Sequence, residues 1–224
     1  DGAQRVFVAD IDGDGDLDIV SGSAFDDTIA WYENNGAADP TWAAANIATD
    51  ADGAHDVKVA DMDGDGDLDI VSASMNDDTI AWYENDGAAD PTWTAANIDT
   101  NADGAHAVKV ADMDGDGDLD IISASMHDDT IAWYENNGAA DPSFTAANIV
   151  TNADAIEAVF VADLDGDGDM DILSASGGDD TIAWYESDGE ANPSWTKRVI
   201  ATSADAAADV FAADIDGDGD LDVV

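Results

Sequence analysis

The sequence contains no cysteine. Disulfide frameworks, zinc-thiolate centres and thiol nucleophiles are therefore excluded. Basic residues are nearly as scarce: five Lys and Arg stand against 53 Asp and Glu, for a formal net charge of −48. Nucleic acids and anionic membrane surfaces are bound through clustered Lys and Arg, so neither is an expected partner. No apolar run approaches the ~20 residues of a membrane-spanning helix, and no membrane insertion is expected. Such a charge favours cations, or a high-salt setting that screens self-repulsion. Apolar residues still make up 45% of the chain, so it is not a disordered acidic tail.

What is abundant is aspartate, and its placement is periodic. The segment ADIDGDGDLDIV at 9–20 returns as ADMDGDGDLDIV at 60, ADMDGDGDLDII at 111, ADLDGDGDMDIL at 162 and ADIDGDGDLDVV at 213. The motif starts, Asp10, Asp61, Asp112, Asp163 and Asp214, are each 51 residues apart. DDTIAWYE keeps the same step at 26, 77, 128 and 179, and DPTW at 39 and 90 becomes DPSF at 141 and NPSW at 192. A period of roughly 40–50 residues is that of propeller blades with four strands each.

The pattern within each repeat agrees. RVFVAD at 5 and DVKVAD at 56 place Val6 and Val8, or Val57 and Val59, on one face of a strand. DIVSAS at 69 is a short β-branched run, TIAWYE at 79 alternates, and TWTAANIDT at 92 is a weaker fourth segment. Asp-Gly and Asp-Pro turns separate them. The expected fold class is all-β: a β-propeller of four-stranded antiparallel blades in one repeat array. Its repeats are 1–51, 52–102, 103–153 and 154–204, with a two-stranded partial fifth at 205–224. Residue 1 falls inside a repeat, so a mature or trimmed piece of a longer array is expected.

Each Asp-Gly segment has the front half of a calcium loop. Counting from Asp10, carboxylates fall at positions 1, 3, 5, 7 and 9, with Gly15 at position 6. Side-chain oxygens at 1, 3 and 5, a main-chain carbonyl at 7 and a Gly-permitted turn at 6 match that loop chemistry. A helical calcium hand carries Glu at position 12, where this chain has Ser21, Ser72, Ser123 and Ser174. Asp18 at position 9 must then supply the missing carboxylate. Two carboxylates ~4 Å apart repel by about 4 kcal/mol at an effective dielectric of ~20. A hard dication with six to eight oxygens removes that conflict. Calcium suits it better than magnesium, which keeps several waters, or zinc, which wants His or Cys. An acidic solvated turn is the simpler account of one such loop, but turn preference does not place five at one phase.

DIDGDGDLDIV followed by DDTIAWYENNG resembles the FG-GAP/VCBS-type repeat of bacterial extracellular proteins, and in turn the calcium-binding blades of integrin α-chain propellers. The resemblance implies a β-propeller with calcium in the loop between the first two strands of each blade. It implies as ligands Asp10, Asp12, Asp14, Asp16 through its carbonyl, and Asp18. The equivalents are Asp61, Asp63, Asp65, Asp67 and Asp69; Asp112, Asp114, Asp116, Asp118 and Asp120; Asp163, Asp165, Asp167, Asp169 and Asp171; and Asp214, Asp216, Asp218, Asp220 and Asp222. The chain has fewer blades than that family's usual closed rings, and nothing in it matches an integrin ligand-binding loop.

Trp31, Trp82, Trp133 and Trp184 in the third strand, and Trp42, Trp93, Phe144 and Trp195 near the fourth, read as packing between blades, with sugar-stacking platforms as the alternative. His55, His106 and His127 read as surface variation, and Asp26-Asp27 with its repeats as a hairpin turn. No nucleophile motif or phosphate loop is present, so no catalytic residue is assigned. The function expected is that of a non-catalytic, secreted, calcium-binding module, structural or adhesive, in a cell surface, matrix or filament. Its partners would be calcium ions and further copies of itself. A lectin-like propeller binding extracellular glycans is one alternative; an accessory domain of a larger secreted enzyme is the other. Extracellular loops of this kind bind calcium at ~10⁻⁴–10⁻³ M, which places the chain outside the cell.

Overall fold

A computed structural model describes residues 1–224 as eighteen strands with no helix. The first repeat holds β1 (Ala3–Ala9), β2 (Asp18–Ser23), β3 (Thr28–Asn34) and β4 (Trp42–Ala48). The second holds β5 (Ala54–Ala60), β6 (Asp69–Ser74), β7 (Thr79–Asn85) and β8 (Trp93–Asp99). The third holds β9 (Ala105–Ala111), β10 (Asp120–Ser125), β11 (Thr130–Asn136) and β12 (Phe144–Val150). The fourth holds β13 (Ile156–Ala162), β14 (Asp171–Ser176), β15 (Thr181–Glu186) and β16 (Thr196–Ala201). Each repeat is one four-stranded sheet in sequence order, with antiparallel pairing. The last repeat contributes only β17 (Ala212–Ala213) and β18 (Asp222–Val223), extended by paired amides and carbonyls of Phe211 and Val224.

Pairing register carries the same irregularities from repeat to repeat. The first strand shifts register between Ala3 and Arg5, Ala54 and Asp56, and Ile156 and Ala158. The third shifts between Ile29 and Ala30, Ile80 and Ala81, Ile131 and Ala132, and Ile182 and Ala183. Such bulges bend a strand and raise its twist. Burial falls across the sheet: β6 is buried throughout, whereas β8 is largely exposed.

The chain groups into two compact units, residues 1–108 with 139–142, and residues 109–138 with 143–224. In the first, β1 and β2 pack against β5. The core there joins Ile11, Val20, Ile29 and Trp31 of the first repeat to Val57, Ile70 and Tyr83 of the second. In the second unit, β10 packs against β13, and Leu173 and Ala175 pack with Val210 and Ala212 of the last repeat. Of the aromatics read as packing between blades, Trp31, Trp82 and Trp133 are buried, Trp93, Phe144, Trp184 and Trp195 are half-buried, and Trp42 is exposed.

The paired aspartates do more than turn a hairpin. The second of each pair adopts a left-handed conformation, with φ of 55° at Asp27, 58° at Asp78, 60° at Asp129 and 57° at Asp180. Short polar Asp tolerates this region better than most residues. Its carboxylate then accepts an amide from the start of the following repeat: Gly53, Gly104, Ala155 and Ala206 respectively, at 2.9–3.1 Å. Each turn thereby ties one repeat to the next.

Val57 is buried at 0% exposure, whereas Val6 and Val8, on the corresponding face of the first sheet, are 61% and 52% exposed. One expectation needs correction. His55 and His106 are not surface variation. Their rings stack with centroids 3.8 Å apart, and His55 Nδ1 lies 2.8 Å from the His106 carbonyl. Burial, then the neighbouring His106, holds the His55 pKa below its usual value.

The contrast in burial gives a stability test. Ile70→Ala, at a site of 0% exposure, is expected to destabilise by about 2–5 kcal/mol. Val6→Ala, at 61% exposure, should stay within about 0.5 kcal/mol. Urea unfolding of the two variants checks the difference.

Candidate metal centre

The Asp-rich loop is the hairpin that joins the first two strands of each repeat. In the first repeat, Ala9 pairs with Asp18 across the sheet, and residues 10–17 close the turn. The glycines at positions 4 and 6 take left-handed conformations, with φ of 72° at Gly13 and 95° at Gly15. Side chains are disfavoured there, which is why the loop spells Asp-Gly-Asp-Gly. No Cβ contact would arise at either glycine, so the requirement is conformational rather than steric.

The five aspartates of a loop have three distinct placements. Positions 1, 3 and 5 converge: in the first, second, third and last loops, one carboxylate oxygen from each lies within 4.8 Å of the others. The triads are Asp10, Asp12 and Asp14; Asp61, Asp63 and Asp65; Asp112, Asp114 and Asp116; and Asp214, Asp216 and Asp218. In the fourth loop the converging set is Asp163, Asp165 and Asp171, which draws in position 9 in place of Asp167. Loop amides hold these groups in place. In the second loop, Gly64 and Gly66 donate to the two oxygens of Asp61 at 2.8 and 3.0 Å, Asp65 to Asp63 at 3.1 Å, and Asp67 to Asp65 at 2.9 Å.

Position 7 points elsewhere. A Cβ placed on Gly36, Gly87, Gly138 or Gly189 would collide with the carboxylate of Asp16, Asp67, Asp118 or Asp169. Those side chains rest on the glycine of the long turn after the third strand, so this position has only its main-chain carbonyl left to offer a loop-centred ion. The turn glycine is also left-handed, at φ 66° in Gly87, so two constraints select glycine there.

Position 9 is a buried strut. Asp18, Asp69, Asp120 and Asp171 are at most 1% exposed. One oxygen accepts the amide of loop position 2: Ile11, Met62, Met113 or Leu164 at 3.1–3.2 Å. The other accepts the amide at the end of the third strand: Asn34, Asn85, Asn136 or Ser187 at 2.7–2.9 Å. Asp222 makes the first of these bonds, to Ile215, and is exposed. Asn85 adds a further link. Its side chain donates to Leu68 O of its own loop at 3.0 Å and to Ile11 O of the preceding loop at 3.3 Å. Sequence reasoning missed these asparagines. Their signal was the Asn-Asn-Gly or Asn-Asp-Gly of the long turn, which reads locally as a turn only.

The electrostatics are those of a site built for positive charge. Burial raises the pKa values of Asp12, Asp63 and Asp114, and the neighbouring carboxylates raise them further against the hydrogen bonds of the loop amides. Burial lifts Asp69 and Asp120 to about 6, although backbone amides and the indoles of Trp82 and Trp133 pull the other way. Oxygens that share one hard cation at 2.3–2.6 Å lie no more than about 5 Å apart, which is the spacing of the triads. Asp10 Oδ1 is also buried without a hydrogen-bond donor. An oxygen-only donor set with this spacing and this orphaned acceptor fits a hard metal ion, not a soft one.

The FG-GAP-like repeat family model matches residues 10–72, 61–123, 112–174 and 163–224. No curated protein matches the chain in sequence. Among solved structures, the Vibrio cholerae biofilm matrix protein Bap1 aligns with a TM-score of 0.52 and 22% identity over 88% of this chain and 28% of its own. The Pseudomonas aeruginosa periplasmic gluconolactonase PpgL aligns with a TM-score of 0.61 and 12% identity, over 97% of this chain and 56% of its own. A Lactobacillus plantarum protein aligns with a TM-score of 0.57 and 16% identity, over 88% and 55%. This chain thus spans from about a quarter to just over half of each of these proteins. At these identities the likeness is one of fold.

The buried struts predict a pH response. Asp69 and Asp120 hold protons in the folded chain up to about pH 6, while unfolded aspartate releases them near ~3.9. Between those values the folded state binds more protons, so metal-free stability rises as pH falls from 7 to 5. Carboxyl-carbon NMR in chelator should give an apparent pKa of about 6 for both residues, and melting midpoints should climb on acidification over that interval. A second outcome concerns the turn glycine: Gly87→Ala, at φ 66° and against Asp67, should destabilise by at least ~1 kcal/mol.

Proposed function

The chain belongs to the FG-GAP-like repeat family, and from that premise we propose that it is a non-catalytic, extracellular, calcium-binding repeat module of propeller-like architecture. Its role is structural or adhesive, within a matrix or at a cell surface. The observation that carries this reading is the fivefold recurrence of a triad of carboxylate oxygens within 4.8 Å at one phase of the repeat. Calcium bound there would supply the positive charge that lets several crowded carboxylates ionise together.

The division of labour among the residues follows from their placement. Aspartates at positions 1, 3 and 5 bring one oxygen each within 4.8 Å of the others, and loop amides fix them, through both oxygens at position 1 and through one at positions 3 and 5. Position 7 contributes its carbonyl, since its side chain lies on the turn glycine. Position 9 both faces the site and anchors the third strand, as Asp171 does by joining the triad in the fourth loop. The complete proposed ligand set is therefore Asp10, Asp12, Asp14, Asp16 and Asp18, with its equivalents in the later repeats, read as one array over residues 1–224.

The matrix role is supported by the fold likeness to Bap1, whose name describes a biofilm matrix protein, although this chain spans only 28% of it. The likeness to PpgL, at 12% identity, carries no catalytic inference. A glycan-binding role has less support. Of the tryptophans that would serve as stacking platforms, Trp31, Trp82 and Trp133 are 2–4% exposed and Trp184 is half-buried, which leaves Trp42 as the exposed one.

A site binding only the folded chain stabilises it by about 2.7 kcal/mol at a hundredfold ligand excess over Kd. Calcium at millimolar concentration is therefore expected to raise the melting midpoint sharply, and chelator to reverse the shift. Asp63→Asn should remove one calcium equivalent in isothermal titration and reduce the shift without abolishing it. An unchanged midpoint with calcium would sink the proposal.

A further inference from the structure

We propose that the cleft between the end of the first repeat and the sheet of the second binds an alkylammonium group over the ring of Tyr83. The cleft lies within residues 1–108, encloses about 290 Å³ and forms where the end of β4 and the stretch after it meet β7 and β8. Ala51, Ser74, Ala81 and Tyr83 make its floor, each at most 5% exposed. Asp50 and Asp77 stand at the exposed rim beside Ala95, and no basic side chain lines the cleft.

The lining selects both the charge and the carbon of the ligand. Two carboxylates without a basic neighbour attract positive charge, and both act on the floor. Burial pushes the Tyr83 phenol above its usual value, and Asp50 and Asp77 push it further. The Ser74 hydroxyl, in a residue 1% exposed, has no hydrogen-bond partner in the chain and is free to accept from an N–H. Calcium takes six to eight oxygens, whereas Ile47, Ala48 and the floor alanines present carbon, which suits the methylenes of an alkylammonium. Small-molecule sites begin at about 300 Å³, so the ligand is a compact one.

The fourth repeat supplies the same kind of cation from its own sequence. Tyr185 stands two repeats on from Tyr83, and the residue paired with it across the sheet is Lys197. Lys197 Nζ lies 5.7 Å from the centre of the Tyr185 ring, within the ~6 Å reach of a cation–π contact. In the second repeat Tyr83 pairs with Ala95, whose short side chain lines the cleft and leaves room for an ammonium from outside. The acids differ in step: the phase of Asp50 is occupied by Asn152 two repeats later. Where the chain carries its own ammonium it has one carboxylate fewer, and where it carries none it keeps both. No residue of the Asp-Gly loops lines the cleft, so the inference goes beyond the calcium reading and stands apart from it.

The test is NMR of the full chain with labelled alanine methyls, titrated with n-butylammonium chloride in calcium buffer. Salt at about 0.15 M screens the general attraction of an ammonium to a chain of net charge −48. The expected result is saturable shifts confined to Ala48, Ala51, Ala81 and Ala95, with none from 1-butanol. Asp50→Asn, which installs the residue of the later repeats, should weaken binding about tenfold, as loss of one hydrogen bond to a charged group does. Ala95→Lys, which copies the fourth repeat, should abolish the shift at Ala81. Both substitutions fall at exposed positions, and melting midpoints confirm that the variants fold. Binding of Nα-acetyl-lysine N-methylamide as tight as that of butylammonium supports a lysine side chain as the source of the ammonium; butylammonium binding alone supports a free amine. Shifts spread over the acidic loops without saturation overturn the inference. So do equal binding of 1-butanol, displacement of butylammonium by added calcium, or undiminished binding in Ala95→Lys. None of these outcomes bears on the melting response to calcium, which tests the loops separately.

Discussion

Everything in this fold is arranged around the crowding of carboxylates at one end of each sheet. Three or more aspartates are gathered by loop amides into a space a few ångströms across, against a mutual repulsion of about 4 kcal/mol per close pair. Nothing in the loop relieves it: the chain has only five Lys and Arg in all, and none lies in a loop. The fold therefore creates an electrostatic debt that only positive charge from solution can settle. Burial raises the carboxyl pKa values first, the crowded neighbours add to that at Asp12, Asp63 and Asp114, and Asp10 Oδ1 is left without a donor.

The loops are not appended to the sheets but built into their connections. Position 9 is the first residue of the second strand, and its two oxygens bind the loop behind it and the third strand beside it. Position 7 leans on the long turn that follows the third strand. A change in the charge state of a loop is thereby felt at three of the four strands. Asn85 extends the reach to the preceding loop through Ile11 O, and the left-handed aspartates of the hairpin turns bind each repeat to the next. The acidic loops and the stacking of repeats thus belong to one network, as expected where each repeat is stabilised chiefly by its neighbours.

Most of the strand content was legible because period-2 patterning and turn residues agree within each repeat. DIVSAS at 69 and β6 coincide, and TIAWYE at 79 differs from β7 only by the added Asn85. The weak segment at 92 does form a strand, β8, whose exposed middle explains its faint apolar signal. The convergence of loop positions 1, 3 and 5 could be anticipated from spacing alone. What escaped was everything that depends on contacts between segments far apart in sequence. Asn34 and Gly36 meet the loop across 16 to 20 residues and look like ordinary turn residues. His55 and His106 touch only because strands 51 residues apart lie side by side, so each appeared as an isolated surface residue. The different fates of Val6 and Val57, identical in phase, could not be read from either segment, since exposure depends on which sheet covers which.

The strict repetition has a physical consequence of its own. When every repeat carries the same loop, strut and stacking face, the contact between one pair of sheets specifies the contact between any other pair. The departures from symmetry then matter most. Lys197 and Arg198 in β16 stand where the earlier repeats have two alanines, and they sit over the rings of Tyr185 and Trp184. Charged side chains on an outer strand hinder pairing of that edge with another sheet.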